Sequence, residues 1–146
     1  MGSSPGKSPK KMKPVNLIST HICLAKDIGV HNNLFGGVML AWLDEAGAAM
    51  AAQVINTPRV VTVKLDEVEF TRPVKVGNLI KIYGEVKEFG VTSVTLRLVA
   101  KKESPYTRTQ KVVCSTNIKF VRIDGDGETV PISERVKREY AAEKDK

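Results

Sequence analysis

The chain has 146 residues, of which 42% are hydrophobic and 27% are charged. This length and composition indicate one globular domain with its own core and exclude a disordered chain. The formal net charge is +7, but residues 1–13 carry +4 of it and residues 134–146 carry +1. A basic face on the folded part is therefore not predicted, and no nucleic-acid partner is expected from a chain with only 5% aromatic residues.

The first segment, residues 1–14, is rich in Ser, Pro and Lys and is expected to be a disordered basic arm. It lacks the apolar stretch of a secretory signal, and the sequence has no run of 18 apolar residues, so a cytoplasmic protein without a membrane span is expected. The two cysteines, Cys23 and Cys114, lie in strand-like segments without a Cys-x-x-Cys pattern. This indicates buried, reduced thiols rather than a disulfide or a metal site.

An extended segment over 15–25 and a polar loop precede a long helix that is predicted over 37–55. The helix is apolar nearly all round, which predicts that it is buried. Within 34–52 its only ionisable side chains are Asp44 and Glu45. A carboxylate in a buried helix is costly unless it is paired or hydrogen-bonded, and it often marks a functional site.

Four long strands follow, separated by short turns. Apolar and polar residues alternate in each of them, which predicts one dry face and one wet face. The expected dry-face residues are Val61, Val63, Leu65, Val68 and Phe70; then Ile80, Ile82 and Val86; then Val94, Leu96, Leu98 and Ala100; and finally Val112, Cys114, Thr116, Ile118 and Phe120. The alternation slips at Asp66 and Glu67, which indicates a β-bulge. A short charged helix, capped by Ser133, ends the chain.

The dry face of a sheet needs an apolar partner, and the long helix is the only element of matching length. The sequence therefore predicts an α+β domain over 15–131, in which a five- to six-stranded antiparallel sheet wraps around one buried helix, followed by a charged C-terminal helix over 132–146. One sheet leaves that helix partly uncovered. The N-terminal half of the helix and the edge of strand 59–70 are therefore expected to form a homodimer with a continuous sheet.

Several motifs in this order resemble those of the hotdog-fold acyl-CoA thioesterases, over roughly residues 16–124. They are 33–37 followed by the apolar helix with Asp44, the segments 59–63 and 70–78, and the Gly-x-x-Ser turn at 90–93. The likeness is greatest to the small single-domain bacterial acyl-CoA hydrolases. It implies a hotdog fold, hydrolysis of fatty acyl-CoA without a metal or prosthetic group, and assembly as a dimer or a trimer of dimers.

The same resemblance implies roles for individual residues. Asp44 takes the position of the catalytic carboxylate, acting as a general base on water or as a nucleophile that forms an anhydride. Asn33 stands where other members carry Asp or Asn, and it is expected to orient the water or the thioester carbonyl. Ser93 corresponds to a serine that lies near the coenzyme A phosphates, whereas some relatives carry a basic residue at the position of Val91.

The residues at the start of the helix give further candidates. Free N–H groups at a helix N-terminus stabilise negative charge, so the amide of Gly37 is predicted to form the oxyanion hole. Gly36 lets coenzyme A approach the backbone closely, since it has no Cβ. Arg59 and Lys64 are candidates, together with Ser93, for binding the nucleotide phosphates.

Purely structural interpretations stay open beside these. Asp44 could be hydrogen-bonded across a dimer interface, Asn33 could cap the helix, the glycine pair could permit close packing, Ser93 could shape a turn, and Arg59 and Lys64 could be wet-face charges.

Two other functions also stay open. One is a non-catalytic acyl-CoA sensor, and the other is a hydratase acting on an enoyl thioester. The hydratase chemistry usually relies on an Asp/His pair, whereas both histidines, His21 and His31, lie outside the helix. Neither has a carboxylate at metal-ligand spacing, so no metal site is predicted.

Overall fold

The structure is a computed structural model that describes residues 15–144. Its elements are β1 (Asn16–Ile22), α1 (Gly36–Ile55), β2 (Val60–Phe70), β3 (Leu79–Phe89), β4 (Ser93–Glu103), β5 (Gln110–Arg122) and α2 (Glu134–Lys144). Two short 3-10 turns, Ala25–Asp27 and Val30–Asn32, connect β1 to α1. The basic arm predicted for residues 1–14 lies outside the described residues.

The five strands form one antiparallel sheet in the order β1-β3-β4-β5-β2. Consequently β3, β4 and β5 each have two neighbours, whereas β1 and β2 are edge strands. One face of α1 is buried against the sheet. Its buried residues include Met39, Leu43 and Met50, which recur at helical spacing. The predicted architecture, a sheet packed on one long helix with a short helix at the C-terminus, is confirmed.

The bounds of α1 follow from its sequence. Phe35 is the N-cap, and the helix ends at Asn56, which adopts the left-handed conformation with φ 61° and donates its N–H to the carbonyl of Ala52. Pro58 follows and cannot continue the helix. Gly47 allows close packing, since a Cβ there would lie 2.9 Å from side-chain atoms of Leu98 and Phe120.

By length and composition alone, α1 is the one described helix that could cross a membrane. The core helix of a soluble protein has the same length and composition, and α1 packs on the sheet as such a helix does.

Strand β2 departs from the predicted dry face. All five residues predicted for the dry face of β2 are exposed instead of buried: Val61, Val63, Leu65, Val68 and Phe70. The reason is that β2 is an edge strand and that its register with β5 shifts between Thr62 and Lys64. A second shift follows Asp66, where the alternation of the sequence predicts a bulge, and that prediction is confirmed. The first shift gives no comparable signal in the sequence.

Strand β5 needs a smaller correction. Its register with β4 shifts between Ala100 and Lys101, so Val113 is only 1% exposed and belongs to the core in place of the predicted Val112. The other predicted inner residues of this strand, such as Cys114 and Phe120, are buried. Both cysteines of the chain are free and buried, as predicted.

The C-terminal helix α2 begins as predicted at Ser133, whose hydroxyl accepts the N–H of Arg135 at 3.2 Å. Its Tyr140 side chain packs against the core. The hydroxyl of Tyr140 accepts the N–H of Val86 at 3.1 Å, which attaches α2 to β3.

Candidate active site

The carboxylate of Asp44 is held by a neighbour on the sheet. Asp44 lies in the third turn of α1 and is half-buried, and the hydroxyl of Thr62 donates to its Oδ1 at 2.6 Å. A hydroxyl bound to a carboxylate forms a short, charge-assisted hydrogen bond that fixes the orientation of the acceptor. Thr62 is not among the predicted site residues, because it stands at an apparent wet-face position 18 residues from Asp44. The β2 register shift near Thr62 is visible only in the structure.

Asn33 lies in the loop just before the N-terminus of α1. It does not cap the helix, because Phe35 is the N-cap and no side chain makes a cap hydrogen bond there. Among the described residues, its Oδ1 is a buried side-chain atom without a hydrogen-bond partner. Such an acceptor costs about 1–3 kcal/mol unless something else satisfies it. A group outside this chain, such as a ligand, would relieve that cost.

A cavity of about 410 Å³ opens beside Asn33. Its walls are mostly apolar and come from the loop before α1, the start of α1, the end of β2 and the segment that follows it. The lining residues are Asn33, Leu34, Gly36, Met39, Phe70, Thr71, Arg72, Pro73, Val74 and Val113. The cavity therefore offers an apolar space next to a polar group that lacks a partner.

A buried carboxylate organises the loop that carries Asn33. Asp27 accepts the N–H of Leu24 at 2.9 Å through its side chain, and its carbonyl accepts the N–H of Phe35 at 2.9 Å. The Leu24 hydrogen bond is the main reason that the pKa of Asp27 lies below its usual value. Gly29 in turn donates its N–H to the carbonyl of Asn33 at 2.8 Å, so the backbone of Asn33 is fixed.

The helix start supplies unused donors beside the cavity. Phe35 accepts the N–H groups of Val38 and Met39 at 3.0 and 3.2 Å, while the N–H groups of the two preceding glycines have no acceptor within the helix. Gly36 lines the cavity. Gly37 also satisfies a packing requirement, since a Cβ there would lie 2.9 Å from the ring of Phe35.

The predicted site residues thus fall into two groups. Asn33 and Gly36 meet at one cavity, whereas Asp44 contacts Thr62 and does not line that cavity. Gly37 and Asp44 are seven positions apart in the helix, which corresponds to a rise of about 10.5 Å. One chain by itself therefore does not bring the carboxylate and the helix-start amides to a single reacting atom.

Lys64 and Ser93 come together on the face of the sheet opposite α1. They line a polar pocket of about 200 Å³, here called the outer pocket, whose other lining residues are Asp66, Glu67, Lys87, Glu88, Gly90, Thr95, Asn117 and Lys119. Ser93 also shapes its turn, because its carbonyl accepts the N–H of Gly90 at 2.8 Å. Two of the three predicted phosphate-binding residues therefore share one pocket.

Arg59 does not line the outer pocket. Its guanidinium lies beside the turn after β5, so that a Cβ on Gly125 would come within 2.8 Å of Nη1. The pKa of Asp124 in that turn is lowered, mainly by the N–H groups of Glu128 and Asp126 and to a smaller extent by Arg59.

The histidines offer no alternative centre. His21 stacks on Trp42 with ring centroids 4.5 Å apart, and burial lowers its pKa. His31 is exposed in the loop before α1. Among residues 15–144, no group of three or more His, Cys, Asp or Glu side chains could hold a metal ion.

Comparison with known proteins gives a consistent result. Residues 31–109 match the family model described as the thioesterase superfamily. An uncharacterized acyl-CoA thioester hydrolase of Haemophilus influenzae is 28% identical over 130 residues, covering 86% of this chain and 83% of its own length. The acyl-CoA thioester hydrolase YciA of Salmonella typhimurium is 29% identical over 120 residues, covering 80% of this chain and 89% of its own.

A solved structure agrees with these relatives. A hexameric hotdog fold thioesterase of Campylobacter jejuni superposes with a TM-score of 0.78 at 29% identity, covering 86% of this chain and 96% of that one.

Proposed function

Because this chain belongs to the thioesterase superfamily and has the hotdog fold, we propose that it hydrolyses fatty acyl-CoA to a free acid and coenzyme A. The observation that carries the proposal is the carboxylate of Asp44, half-buried in α1 and oriented by the hydroxyl of Thr62. A non-catalytic acyl-CoA sensor would have no need of such a group. The relatives named as acyl-CoA thioester hydrolases agree with the enzymatic function.

Asp44 would act as the general base. It removes a proton from water as the oxygen attacks the thioester carbon, and the tetrahedral intermediate then expels the coenzyme A thiolate, which takes the proton back. Thr62 keeps one carboxylate oxygen occupied, so that the other faces the water. Direct attack by Asp44, with hydrolysis of the resulting anhydride, uses the same residues and is the second route.

The oxyanion would be stabilised at the start of α1. The amide of Gly37 and the positive end of the helix dipole favour negative charge there, and one well-aimed donor contributes about 3–4 kcal/mol to the transition state. Asn33 would orient the thioester or the water through its side-chain amide. Gly36 leaves room for the substrate against the backbone, and the apolar cavity beside it would take part of the acyl group.

Since these groups lie too far from Asp44 within one chain, the complete site would need a second copy. Strand β2 is an open edge with exposed apolar side chains, which suits pairing between two copies. An antiparallel pairing centred near Asp66 would set Thr62 of one copy opposite Phe70 of the other. Phe70 lies against Gly36, so Asp44 of one copy would then face the helix start of the other.

The nucleotide end of coenzyme A would bind in the outer pocket. Lys64 and Ser93 would contact the phosphates, with Lys87 and Lys119 nearby. The register shift in β2 matters here, because Thr62 contacts Asp44 on the helix side while Lys64, two residues on, reaches the opposite face. The carboxylate and the phosphate-binding residues thus lie near β2 on opposite faces of the sheet. Arg59 lies outside this arrangement.

The assembly would be at least a homodimer, with a trimer of dimers as the larger form, since the Campylobacter jejuni thioesterase is hexameric. The two buried free cysteines agree with a reducing compartment such as the cytoplasm.

The first experiment measures free thiol released from a panel of acyl-CoA esters of increasing chain length. The unsubstituted protein is expected to turn over at least one ester, and Asp44→Asn to lose about 10²- to 10⁴-fold in kcat, which is the usual contribution of a general base. Glu45→Gln, the same change at the exposed neighbouring residue, serves as the control and should keep full activity. Binding of acyl-CoA without turnover of any ester would favour the sensor instead.

The second experiment tests whether two copies share the site. Asp44→Asn and Asn33→Ala proteins, each of low activity, are unfolded together, refolded as a mixture and assayed. A shared site predicts recovery of about a quarter of full activity, because half of the dimers are mixed and each contains one intact site of two. No recovery, with mixed dimers demonstrated by mass spectrometry, would place both residues in the site of a single chain.

A further inference from the structure

The last part of β3 is an open edge that α2 covers. Strand β1 pairs with β3 only as far as Asn16 opposite Gly84, whereas β3 continues beside β4 to Phe89. Beyond Asn16, residues 15–144 provide no strand on that side to accept the N–H of Val86. The hydroxyl of Tyr140 takes this role at 3.1 Å.

The same C-terminal segment also holds the turn between β3 and β4. The ring of Tyr140 meets the ring of Phe89 edge-on, with centroids 6.0 Å apart and planes at 80°. On the far side of the turn, Ile132 donates its N–H to the carbonyl of Val91 at 2.8 Å. The C-terminal segment 132–140 therefore contacts the turn over 89–93 at two points, Phe89 and Val91.

This turn is part of the wall of the outer pocket. Gly90 and Ser93 line the pocket, as do Lys87 and Glu88 at the end of β3. A Cβ on Gly90 would collide with the hydroxyl oxygen of Ser93 and force that side chain to move. The position of Ser93 in the pocket thus depends on a tightly fitted turn.

We propose that Tyr140 is a positioning residue for the outer pocket, through which α2 sets the affinity of the enzyme for the nucleotide end of coenzyme A. This inference rests on the proposed function. Tyr140 itself does not line the outer pocket. It holds Val86 and Phe89, and through them the turn that presents Ser93.

A positioning role and a merely structural role differ in what they change. Loss of stability would reduce the amount of active enzyme for every substrate. Displacement of the turn would weaken the binding only of substrates that carry the nucleotide, and it would leave the rate of the chemical step at Asp44 unchanged. The comparison therefore uses an acyl-CoA and the acyl-pantetheine thioester with the same acyl chain, which lacks the nucleotide.

The test variant is Tyr140→Phe, which keeps the ring and removes the hydroxyl. Its KM for acyl-CoA is expected to rise roughly three- to tenfold, the equivalent of one lost hydrogen bond. Its kcat, and both constants for acyl-pantetheine, should stay unchanged. Tyr106→Phe is the matched control, since Tyr106 is 94% exposed in the loop between β4 and β5, and it should change nothing. Phe89→Leu removes the ring contact instead and should raise the same KM.

Equal losses on both thioesters, a fall in kcat, or an unchanged KM for acyl-CoA in both variants would each overturn the proposal. If the unsubstituted protein hydrolyses neither thioester, the proposed function fails. The positioning role is then decided by calorimetric titration with coenzyme A alone, where Tyr140→Phe should weaken binding by the same factor and Tyr106→Phe should not.

Discussion

Strands β4 and β2 have the same length and a similar alternation of apolar and polar residues, yet they are buried to very different extents. Val94, Leu96, Leu98 and Ala100 of β4 are fully buried between the neighbouring strands and α1. Five apolar residues of β2 are 37–54% exposed, namely Val61, Val63, Leu65, Val68 and Phe70. Alternation thus specifies a strand, but the neighbours of the strand decide whether its apolar side chains are buried.

The polar groups beside these two strands differ in the same way. Glu103, at the end of β4, is buried and satisfied, because it accepts a hydrogen bond from Gln110 at 2.7 Å and pairs with Lys81 at 3.1 Å. Asn33, in the cavity at the end of β2, has a buried oxygen without a partner among the described residues. The centre of the sheet is complete within one chain, whereas the described residues leave exposed apolar side chains and an unpartnered oxygen at the β2 edge.

The largest effect is expected from charging the β2 edge. Val63→Lys should give a monomer, because a lysine within the proposed interface cannot be desolvated without a partner. Activity should fall at least about a hundredfold, since the oxyanion-stabilising amides of the other copy are lost. Molar mass by light scattering and thiol release, measured on the same sample, test both statements.

Val15→Lys is the matched control for this change. Val15 precedes β1 at the opposite edge of the sheet and is 53% exposed, against 52% for Val63. It should leave an active dimer. If both variants stay dimeric, or if a monomeric Val63→Lys protein keeps full activity, β2 is not the edge that completes the site.

The next effect separates the two strands by their stability. Leu98→Ala in β4 should lower the free energy of unfolding by about 2–5 kcal/mol at any protein concentration, because it opens a cavity in a core that one chain completes. Leu65→Ala in β2 should destabilise the dimer instead. The loss in the free energy of unfolding should therefore vary with protein concentration. Urea unfolding at two concentrations tests this difference, and a loss at Leu65 that is independent of concentration would contradict it.

The sequence predicts much of the fold, because long elements with a clear period carry their own signal. The ends of α1 follow from the two glycines at its start and from Pro58 after it, and the bulge at Asp66 follows from the slipped alternation. The register shift between Thr62 and Lys64 could not be predicted. It depends on pairing with β5, a strand some 50 residues away, and alternation alone assigns both side chains to one face.

The candidate site could be predicted only in part for the same reason. Asp44 stands out as a charge in an apolar helix, and the glycines mark the helix start. Thr62 looks like any wet-face threonine, and its hydrogen bond to Asp44 exists only after the strand has packed on the helix. The distance between Gly37 and Asp44 follows from helix geometry, and it is the reason for proposing a site that two chains share.

A smaller effect concerns the contact between edge strand and helix. Thr62→Val keeps the shape of the side chain but removes the donor to Asp44, and kcat should fall about ten- to hundredfold, the value of a hydrogen bond to a charged group. KM should change little, since Thr62 acts through Asp44. Thr62→Ser, which keeps the hydroxyl, should retain most of the activity. Equal losses in both variants would mean that packing, and not the hydrogen bond, is what Asp44 requires.

The smallest effect is expected at Glu103, the satisfied carboxylate at the end of β4. The hydrogen bond from Gln110, and then Lys81, hold the pKa of Glu103 below its usual value. The unfolded chain therefore takes up this proton first as the pH falls. The stabilisation by Glu103 is fully present above about pH 4.3, the usual glutamate value, and is lost as the pH falls through the lower pKa of the folded state. Glu103→Gln should thus melt at a lower temperature than the unsubstituted protein at pH 7, and the gap should close towards pH 3. Because this network is contained in one chain, the difference in melting temperature should be the same in the monomeric Val63→Lys background. If the difference disappears there, β4 also depends on the second copy.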